Sequence, residues 1–411
     1  MDSVIVVGAS LAGWRATEEL RGKGFEGKLS LVGEERHLPY DRPPLSKQVL
    51  AGTWPPEKAV LADKKRSSDL EVHEVLGRRA TALDVAARTV ELDDGSSLRA
   101  DGIVLATGAA PRRLPGTESL GQVDGLFVLR SIDDSLALRT ALTATEGTRV
   151  VVVGAGFIGS EVASTAAGLG CQVTVLEVMD VPLSNVLGTV VGAHCASLHD
   201  ANGVSLRTGV GLERIERGDG ESGSEPARLS VHLRDGEVFD ADVVVVGIGV
   251  SPCTGWLESS GLTIDNGVVC DDRMFAADGI VAAGDMARWL WRHDGSEEHI
   301  RIEHWEVAAG AGVAAARSLL AGRADAPSFT PVPYFWSDQY GIRIQVLGNP
   351  GGDDEMAITE GSLDEGKFVA VYGRAGRLRA VMAIGKPRQL MGFRPLLQNG
   401  ASFDEALAHG S

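Results

Sequence analysis

Apolar positions along this chain fall in short blocks that stop at glycine. Val4-Ile5-Val6-Val7 ends at Gly8, and Val150-Val151-Val152-Val153 ends at Gly154, 146 residues further on. Each β-branched block leads through a glycine turn into a helical stretch and then a second strand. That second strand is Leu29–Val32 in the first copy and Val173–Leu176 in the second. Strand, glycine turn, helix, strand is the βαβ unit of a parallel sheet. Two copies predict two nucleotide-binding domains.

Further strands are predicted at Ile103–Leu105, at Val243–Val246 before Gly247-Ile248-Gly249, and at Ile280–Ala283 before Gly284-Asp285. Helical periodicity covers Ser131–Ala144 and Trp305–Leu320. The polar, Gly/Ser-rich stretch 217–227 reads as a loop tip between strands. Residues 322–333 carry three prolines and little periodicity, and read as a linker. Beyond it, strand-like runs at Ile342–Leu347, Phe368–Tyr372 and Ala380–Ile384 predict an α+β tail. The fold class is therefore α/β, with two Rossmann-like dinucleotide-binding domains and a C-terminal α+β domain.

Composition narrows the function. With 39 Lys+Arg against 56 Asp+Glu in 411 residues the net charge is −17. Phosphate backbones and anionic membranes need a basic footprint, so neither nucleic acid nor a membrane is an expected partner. Ordinary globular usage, 44% hydrophobic and 23% charged, argues against a disordered chain. The 52 glycines, roughly twice average usage, follow no G-X-Y period and belong in turns and close backbone approaches. Cys171, Cys195, Cys253 and Cys270 stand far apart, which predicts no disulfide framework, no zinc site and no redox-active disulfide. No run approaches the ~18 apolar residues of a membrane helix, and the first residues lack a signal peptide's basic start. The expected location is cytoplasmic.

The second glycine turn, Gly154-Ala155-Gly156-Phe157-Ile158-Gly159, is a complete G-x-G-x-x-G, and Glu177 ends the next strand 23 residues after Gly154. That is close to the roughly 20 residues expected for an acid on the ribose hydroxyls. The glycines would admit a pyrophosphate to the unpaired N–H groups of the helix. Glu177 would accept from a ribose 2′-OH and repel a 2′-phosphate. The first turn, Gly8-Ala9-Ser10-Leu11-Ala12-Gly13, has Ser10 where the middle glycine would stand, a hydroxyl that could donate to a pyrophosphate instead. Glu34, 26 residues after Gly8, is the matching ribose acid.

Beyond these turns the chain contains Pro39-Tyr40-Asp41-Arg42-Pro43-Pro44-Leu45-Ser46-Lys47, Ala106-Thr107-Gly108-Ala109, Gly279-Ile280-Val281-Ala282-Ala283-Gly284-Asp285, Glu303-His304-Trp305 and Tyr334-Phe335-Trp336-Ser337-Asp338-Gln339-Tyr340. With them it resembles, over essentially its whole length, the FAD-dependent pyridine nucleotide:ferredoxin reductases. These are the putidaredoxin-reductase and dioxygenase-reductase group of the glutathione-reductase-like fold. The resemblance implies FAD at the first turn and NADH at the second. It implies an FAD domain over 1–110 and 240–321, an NAD domain over 111–239 and a C-terminal domain over 322–411.

The same resemblance supplies the remaining site residues. Gly8, Ser10, Ala12, Gly13, Glu34, Arg42, Lys47, Ala80, Ala106, Thr107, Gly108, Asp285, His304 and Trp305 are expected at the flavin. Gly154, Gly156, Phe157, Ile158, Gly159, Glu177 and Gly249 are expected at the nicotinamide nucleotide. Asp285, after a strand and opening a helix, would bond the ribityl hydroxyls. Lys47, beside the flavin edge, and Glu161, one turn into the second glycine helix, are the expected catalytic pair, positioning hydride donor and acceptor. Trp305 and Trp336 would cover the flavin and exclude water. His194 and His199 point ~140° apart on a helix, so they do not share a metal, and no metal is expected.

The implied activity is transfer of electrons from NADH through FAD to an iron–sulfur ferredoxin of the 2Fe–2S, 3Fe–4S or 4Fe–4S type. That ferredoxin would serve a haem-thiolate monooxygenase or a ring-hydroxylating dioxygenase. Alternatives are a rubredoxin reductase and a flavin-bound redox signalling protein of the apoptosis-factor kind. An acidic ferredoxin would need a local basic patch on this acidic chain. Arg288, Arg292 and Arg301, with Lys386 and Arg388, are the candidates.

Overall fold

The computed structural model describes residues 1–117, 119–121, 125–217, 229–293 and 296–410, so the loop expected at 217–227 lies, after Arg217, outside them. The described chain divides into two compact units. The first comprises residues 1–41, 59–110 and 251–334, and the second residues 42–58, 111–250 and 335–411.

The first unit is built on a six-stranded sheet in the order Phe275–Ala277, Ile280–Ala282, Gly102–Leu105, Ser3–Val7, Lys28–Gly33, Val72–Leu76. All neighbours run parallel except the first pair. Parallel strands covered on both faces can be continuously apolar. Val4, Ile5, Val6 and Val7 are accordingly all buried, as are Ile103, Val104 and Leu105. Helix Leu11–Gly22 packs against helix Trp305–Ala321 at very short range. A Cβ on Gly312 would lie 2.2 Å from the carbonyl oxygen of Ala12. Asp285, expected to open a helix, instead sits in a single 3-10 turn, Gly284–Met286, that runs directly into strand Ala287–His293. Trp289 and Trp291 alternate inward along that strand and are buried. The next helix starts only at Trp305.

The second unit holds a parallel five-stranded sheet in the order Ser205–Arg207, Gln172–Leu176, Arg149–Val153, Val243–Val246, Leu126–Val128. Helix Phe157–Gly168 follows its central strand. The C-terminal residues of this unit form a five-stranded sheet in the order Tyr334–Gln339, Ile342–Gly348, Arg377–Ile384, Lys367–Arg374, Glu355–Ser362, followed by three short helices. Residues 322–333 contain no helix and no strand. No helix among the described residues is long and apolar enough to cross a membrane.

The glycine turn of the first unit tolerates little. A Cβ on Gly13 would stand 1.8 Å from the carbonyl oxygen of Gly8, whereas Gly22, at the end of the same helix, faces open space. Gly13→Ala should therefore destabilise by on the order of 1–3 kcal/mol or more. Gly22→Ala should be neutral or slightly stabilising through helix propensity. Urea denaturation of both variants checks this, and equal midpoints would refute it.

Candidate functional site

The first unit's turn is set by Gly8. Its φ of 123° suits glycine, and a Cβ there would strike the carbonyl of Ala106 at 2.0 Å. The Gly8 turn and the Ala106-Thr107-Gly108 segment thus lie against each other. Ser10 is the N-cap residue of helix Leu11–Gly22, yet its side chain makes no cap hydrogen bond, and the first turn carries no acidic residue. A serine at an N-cap usually spends its hydroxyl on the backbone. Here the hydroxyl and the helix N–H groups remain suited to an anionic group such as a pyrophosphate.

Around this turn the unit gathers several of the expected residues. Gly284 approaches Ala12, so that a Cβ on Gly284 would lie 2.9 Å from the Ala12 Cβ. Thr107 donates its hydroxyl to the Cys253 carbonyl at 2.8 Å, and its backbone N–H points at the Met286 sulfur. Trp305 donates its indole N–H to Asp41 at 2.7 Å. Burial holds the Asp41 carboxyl above its usual range, opposed by that hydrogen bond and by Arg15. The neighbouring His304 is pushed down to about 4 by burial, so it is neutral near pH 7. Ala80 is buried at the start of strand Ala80–Asp84, and Glu34 is exposed just beyond strand Lys28–Gly33.

The second unit repeats the turn. Gly154 has φ 100° and packs on Gly247, while a Cβ on Gly159 would meet the Gly154 carbonyl at 2.0 Å. Gly156, the N-cap residue of helix Phe157–Gly168, has nothing within 4 Å of a Cβ position. The space that a side chain would fill is open and large enough to suit a phosphate group. Gly249 is likewise open, and Ile158 is half-exposed beside the turn. The Phe157 ring lies 5.0 Å from that of Phe335, edge to face. Glu177 is 7% exposed and braces the turn, accepting from the Ala155 N–H at 2.7 Å and the Met179 N–H at 2.9 Å. Both carboxylate oxygens are thus held by backbone N–H groups, and the next residue, Val178, is 71% exposed.

Lys47 and Glu161, 114 residues apart in sequence, form an ion pair at 2.7 Å in this unit, with side chains 11% and 2% exposed. Arg42 belongs to the same unit and donates to the Arg130 carbonyl at 2.6 Å. Ser46 also donates to Glu161 at 2.6 Å, and Ser337 donates to its other carboxylate oxygen at 2.7 Å. Neither serine is apparent from the sequence as a member of the site. The available signal is positional: polar Ser337 and Gln339 occupy buried positions of strand Tyr334–Gln339, in alternation with half-buried Trp336 and Asp338.

His199 is packed and fully buried. Tyr340 shares a hydrogen bond of 2.8 Å with its Nδ1, and Ser160 lies 3.4 Å from its Nε2. Burial lowers the imidazole to about 4 and raises the Tyr340 hydroxyl, so both groups are neutral near pH 7. Four of the five basic residues considered for partner docking pair with carboxylates. Arg288 pairs with Asp265, Arg292 with Glu297 and Asp272, and Lys386 with Glu360. Arg301, 9% exposed, pairs with Glu303 and donates to the Asp285 carbonyl. None of the four cysteines, all of them among the described residues, forms a disulfide.

Two nucleotide-type turns and one buried Lys–Glu pair, in this topology, describe a pyridine-nucleotide oxidoreductase. The chain belongs to the pyridine nucleotide-disulphide oxidoreductase family, whose model matches residues 2–312, and residues 334–410 match the Reductase C-terminal domain. It is 38% identical over 409 residues to the ferredoxin reductase component of chlorobenzene dioxygenase from Cupriavidus sp. (strain PS12), covering 98% of this chain and 94% of that protein. It is 37% identical over 392 residues to the ferredoxin–NAD(+) reductase subunit of the benzene 1,2-dioxygenase system of Pseudomonas putida, covering 94% and 90%. The structure of a covalent putidaredoxin reductase–putidaredoxin complex matches with a TM-score of 0.91 at 31% identity, covering 99% of this chain and 95% of that one.

The buried His199 makes stability depend on pH. Its imidazole in the fold lies at about 4, against 6.5 ordinarily. Above pH 6.5 both folded and unfolded chains hold it neutral. As pH falls below 6.5 the unfolded chain takes up the proton first, so stability drops until about pH 4, by on the order of 3 kcal/mol from this residue. His199→Asn should lower stability at pH 7.5 but lose less of it between pH 6.5 and 4. Urea titrations across that range read the difference, and parallel slopes for both proteins would refute it.

Proposed function

We propose that this protein is an NADH-dependent FAD reductase that passes electrons to an iron–sulfur ferredoxin. That ferredoxin serves a ring-hydroxylating dioxygenase or a haem-thiolate monooxygenase. The observation carrying the reading is the buried Lys47–Glu161 pair on a chain with a glycine turn in each unit. The end-to-end relatives named above, ferredoxin reductase components, supply the partner class. Bound FAD would accept a hydride as a pair of electrons and release them singly, which matches a two-electron donor to a one-electron acceptor.

The chain's own groups have the following work. Gly8, Ser10, Ala12 and Gly13 admit the flavin pyrophosphate to the first helix, with Ala106, Thr107, Gly108 and Asp285 beside them. Glu34, Arg42, Ala80, His304 and Trp305 complete the flavin contacts, and neutral His304 adds no charge there. Gly154, Gly156, Phe157, Ile158, Gly159 and Gly249 receive the nicotinamide dinucleotide, and Glu177 takes its adenosine ribose. Lys47 and Glu161 hold nicotinamide and flavin in register without exchanging a proton or hydride themselves. With no cysteine between Tyr40 and Lys47, the reaction does not pass through a disulfide. The enzyme works in the cytoplasm.

Partner class is tested by titrating the purified yellow protein with ferredoxins and a rubredoxin while following cytochrome c reduction by NADH. Saturable turnover with a ferredoxin is expected. Turnover with rubredoxin alone, or with neither carrier, would overturn the reading.

Nucleotide preference follows from Glu177. A 2′-phosphate brought against this little-exposed carboxylate meets like charge, with Val178 and Met179 offering no compensating cation. NADH should exceed NADPH in kcat/KM by at least about 100-fold, on the several kcal/mol that like charges cost at a desolvated contact. Glu177→Ala with Val178→Arg should narrow the gap. Equal efficiency of the two nucleotides in the unmodified protein would defeat the assignment.

A further inference from the structure

Strand Tyr334–Gln339 buries two polar side chains where its alternation calls for apolar ones. Phe335, Ser337 and Gln339 share the inward face, and the exposures of Ser337 and Gln339 are 0% and 1%. Buried hydroxyl and amide groups destabilise a fold unless they are hydrogen-bonded. A sequence that keeps both on the covered face of a strand therefore keeps them for a bond they make.

That bond leads to Glu161. The Ser337 hydroxyl donates to Oε1 of Glu161 at 2.7 Å, and the Gln339 side-chain amide donates to the Ser337 oxygen at 3.1 Å. The proton directions are forced. A serine hydroxyl has one proton, a carboxylate only accepts, and the amide nitrogen has protons to give. The second oxygen, Oε2, receives the Ser46 hydroxyl at 2.6 Å and the Lys47 ammonium at 2.7 Å. Lys47 sets one oxygen of Glu161. Ser337 sets the other, and two anchored oxygens fix the plane of the carboxylate.

We propose that Ser337, backed by Gln339, is a positioning residue for hydride transfer. It locks the Glu161 carboxylate so that the Lys47 ammonium is held at one orientation. The C-terminal segment thereby completes the reductive pair. The inference rests on the reading of Lys47 and Glu161 as the pair that keeps nicotinamide and flavin in register. Ser337 touches neither cofactor in this account and acts through Glu161 alone.

The test uses the FAD-loaded protein and four variants: Ser337→Ala, Ser337→Thr, Glu161→Gln, and Ser337→Ala with Glu161→Gln. Stopped-flow reduction by NADH gives a limiting rate and an apparent Kd for each. Loss of one hydrogen bond to a charged group should slow the limiting rate of Ser337→Ala roughly tenfold. Its Kd for NADH should stay within about twofold, because a positioning residue affects the transition state more than binding. Ser337→Thr, which keeps the hydroxyl, should recover most of the rate. In the double variant Ser337→Ala should cost clearly less than it does alone, since its route is through the charged Glu161 carboxylate and a glutamine keeps only a neutral acceptor.

Wild-type rate in Ser337→Ala beside a slow Glu161→Gln overturns the inference, as does a Ser337→Ala effect that persists at full size without Glu161. A second readout on the same four proteins is urea unfolding, which involves no turnover. Ser337→Ala and Glu161→Gln should be non-additive in stability. Should Glu161→Gln reduce at the wild-type rate, the catalytic reading of the pair fails. The unfolding cycle then decides by itself whether Ser337 anchors Glu161, and additive losses would overturn that too.

Discussion

A carboxylate that is 2% exposed constrains everything packed around it. Removing Glu161 from water is costly, and one opposite charge rarely repays the desolvation unless the remaining lone pairs are also met. Here they are met from three directions: the Lys47 ammonium, the Ser46 hydroxyl and the Ser337 hydroxyl. The segment carrying Ser46 and Lys47 is tied down further. Ser135 donates to the Leu45 carbonyl and Thr165 to the Ser46 carbonyl, each at 2.7 Å. A 3-10 turn, Pro43–Ser46, is thereby bound to helices Ile132–Leu142 and Phe157–Gly168 in addition to the charge pair. This explains why residues 42–58 cluster with the second unit although their chain neighbours on both sides belong to the first.

The two glycine turns show how one local grammar is adapted by its surroundings. Both need glycine at a positive φ and a second glycine where helix meets strand. In the first, Ser10 replaces the middle glycine and retains a hydroxyl that does not cap the helix. In the second, Gly156 leaves open space, and the support comes from Glu177, which accepts the Ala155 N–H. A carboxylate so bound serves the rigidity of the turn.

Electrostatically the chain is acidic, and its arginines are mostly occupied. Arg288, Arg292, Arg343 and Arg374 each face a carboxylate across exposed or half-buried surface. Pairs of this kind contribute little stability singly. Their effect is to remove free positive charge from the surface. The stretch Arg288–His293 thus reads differently in space than in sequence, as a paired strand with Trp289 and Trp291 beneath it.

Sequence alone determined the parallel strands, both glycine turns, the two helices beginning near 132 and 305, and the α+β tail. In each case the cause is local: β-branched blocks ended by glycine, or periodic apolar positions, carry their structure within a few residues. Lys47 and Glu161 were also legible, through the words around them. The single turn at Asp285 was not, because glycine followed by aspartate begins a short turn as readily as a helix. Nor was the burial of His199, or the commitment of Arg301 to Glu303. Ser46, Ser337 and Gln339 could not be read as one group, since they are separated by 291 residues between Ser46 and Ser337. Tertiary structure alone brought them to one carboxylate. A hydrogen bond needs a few tenths of an ångström of alignment, and only the packed strand and helix supply that.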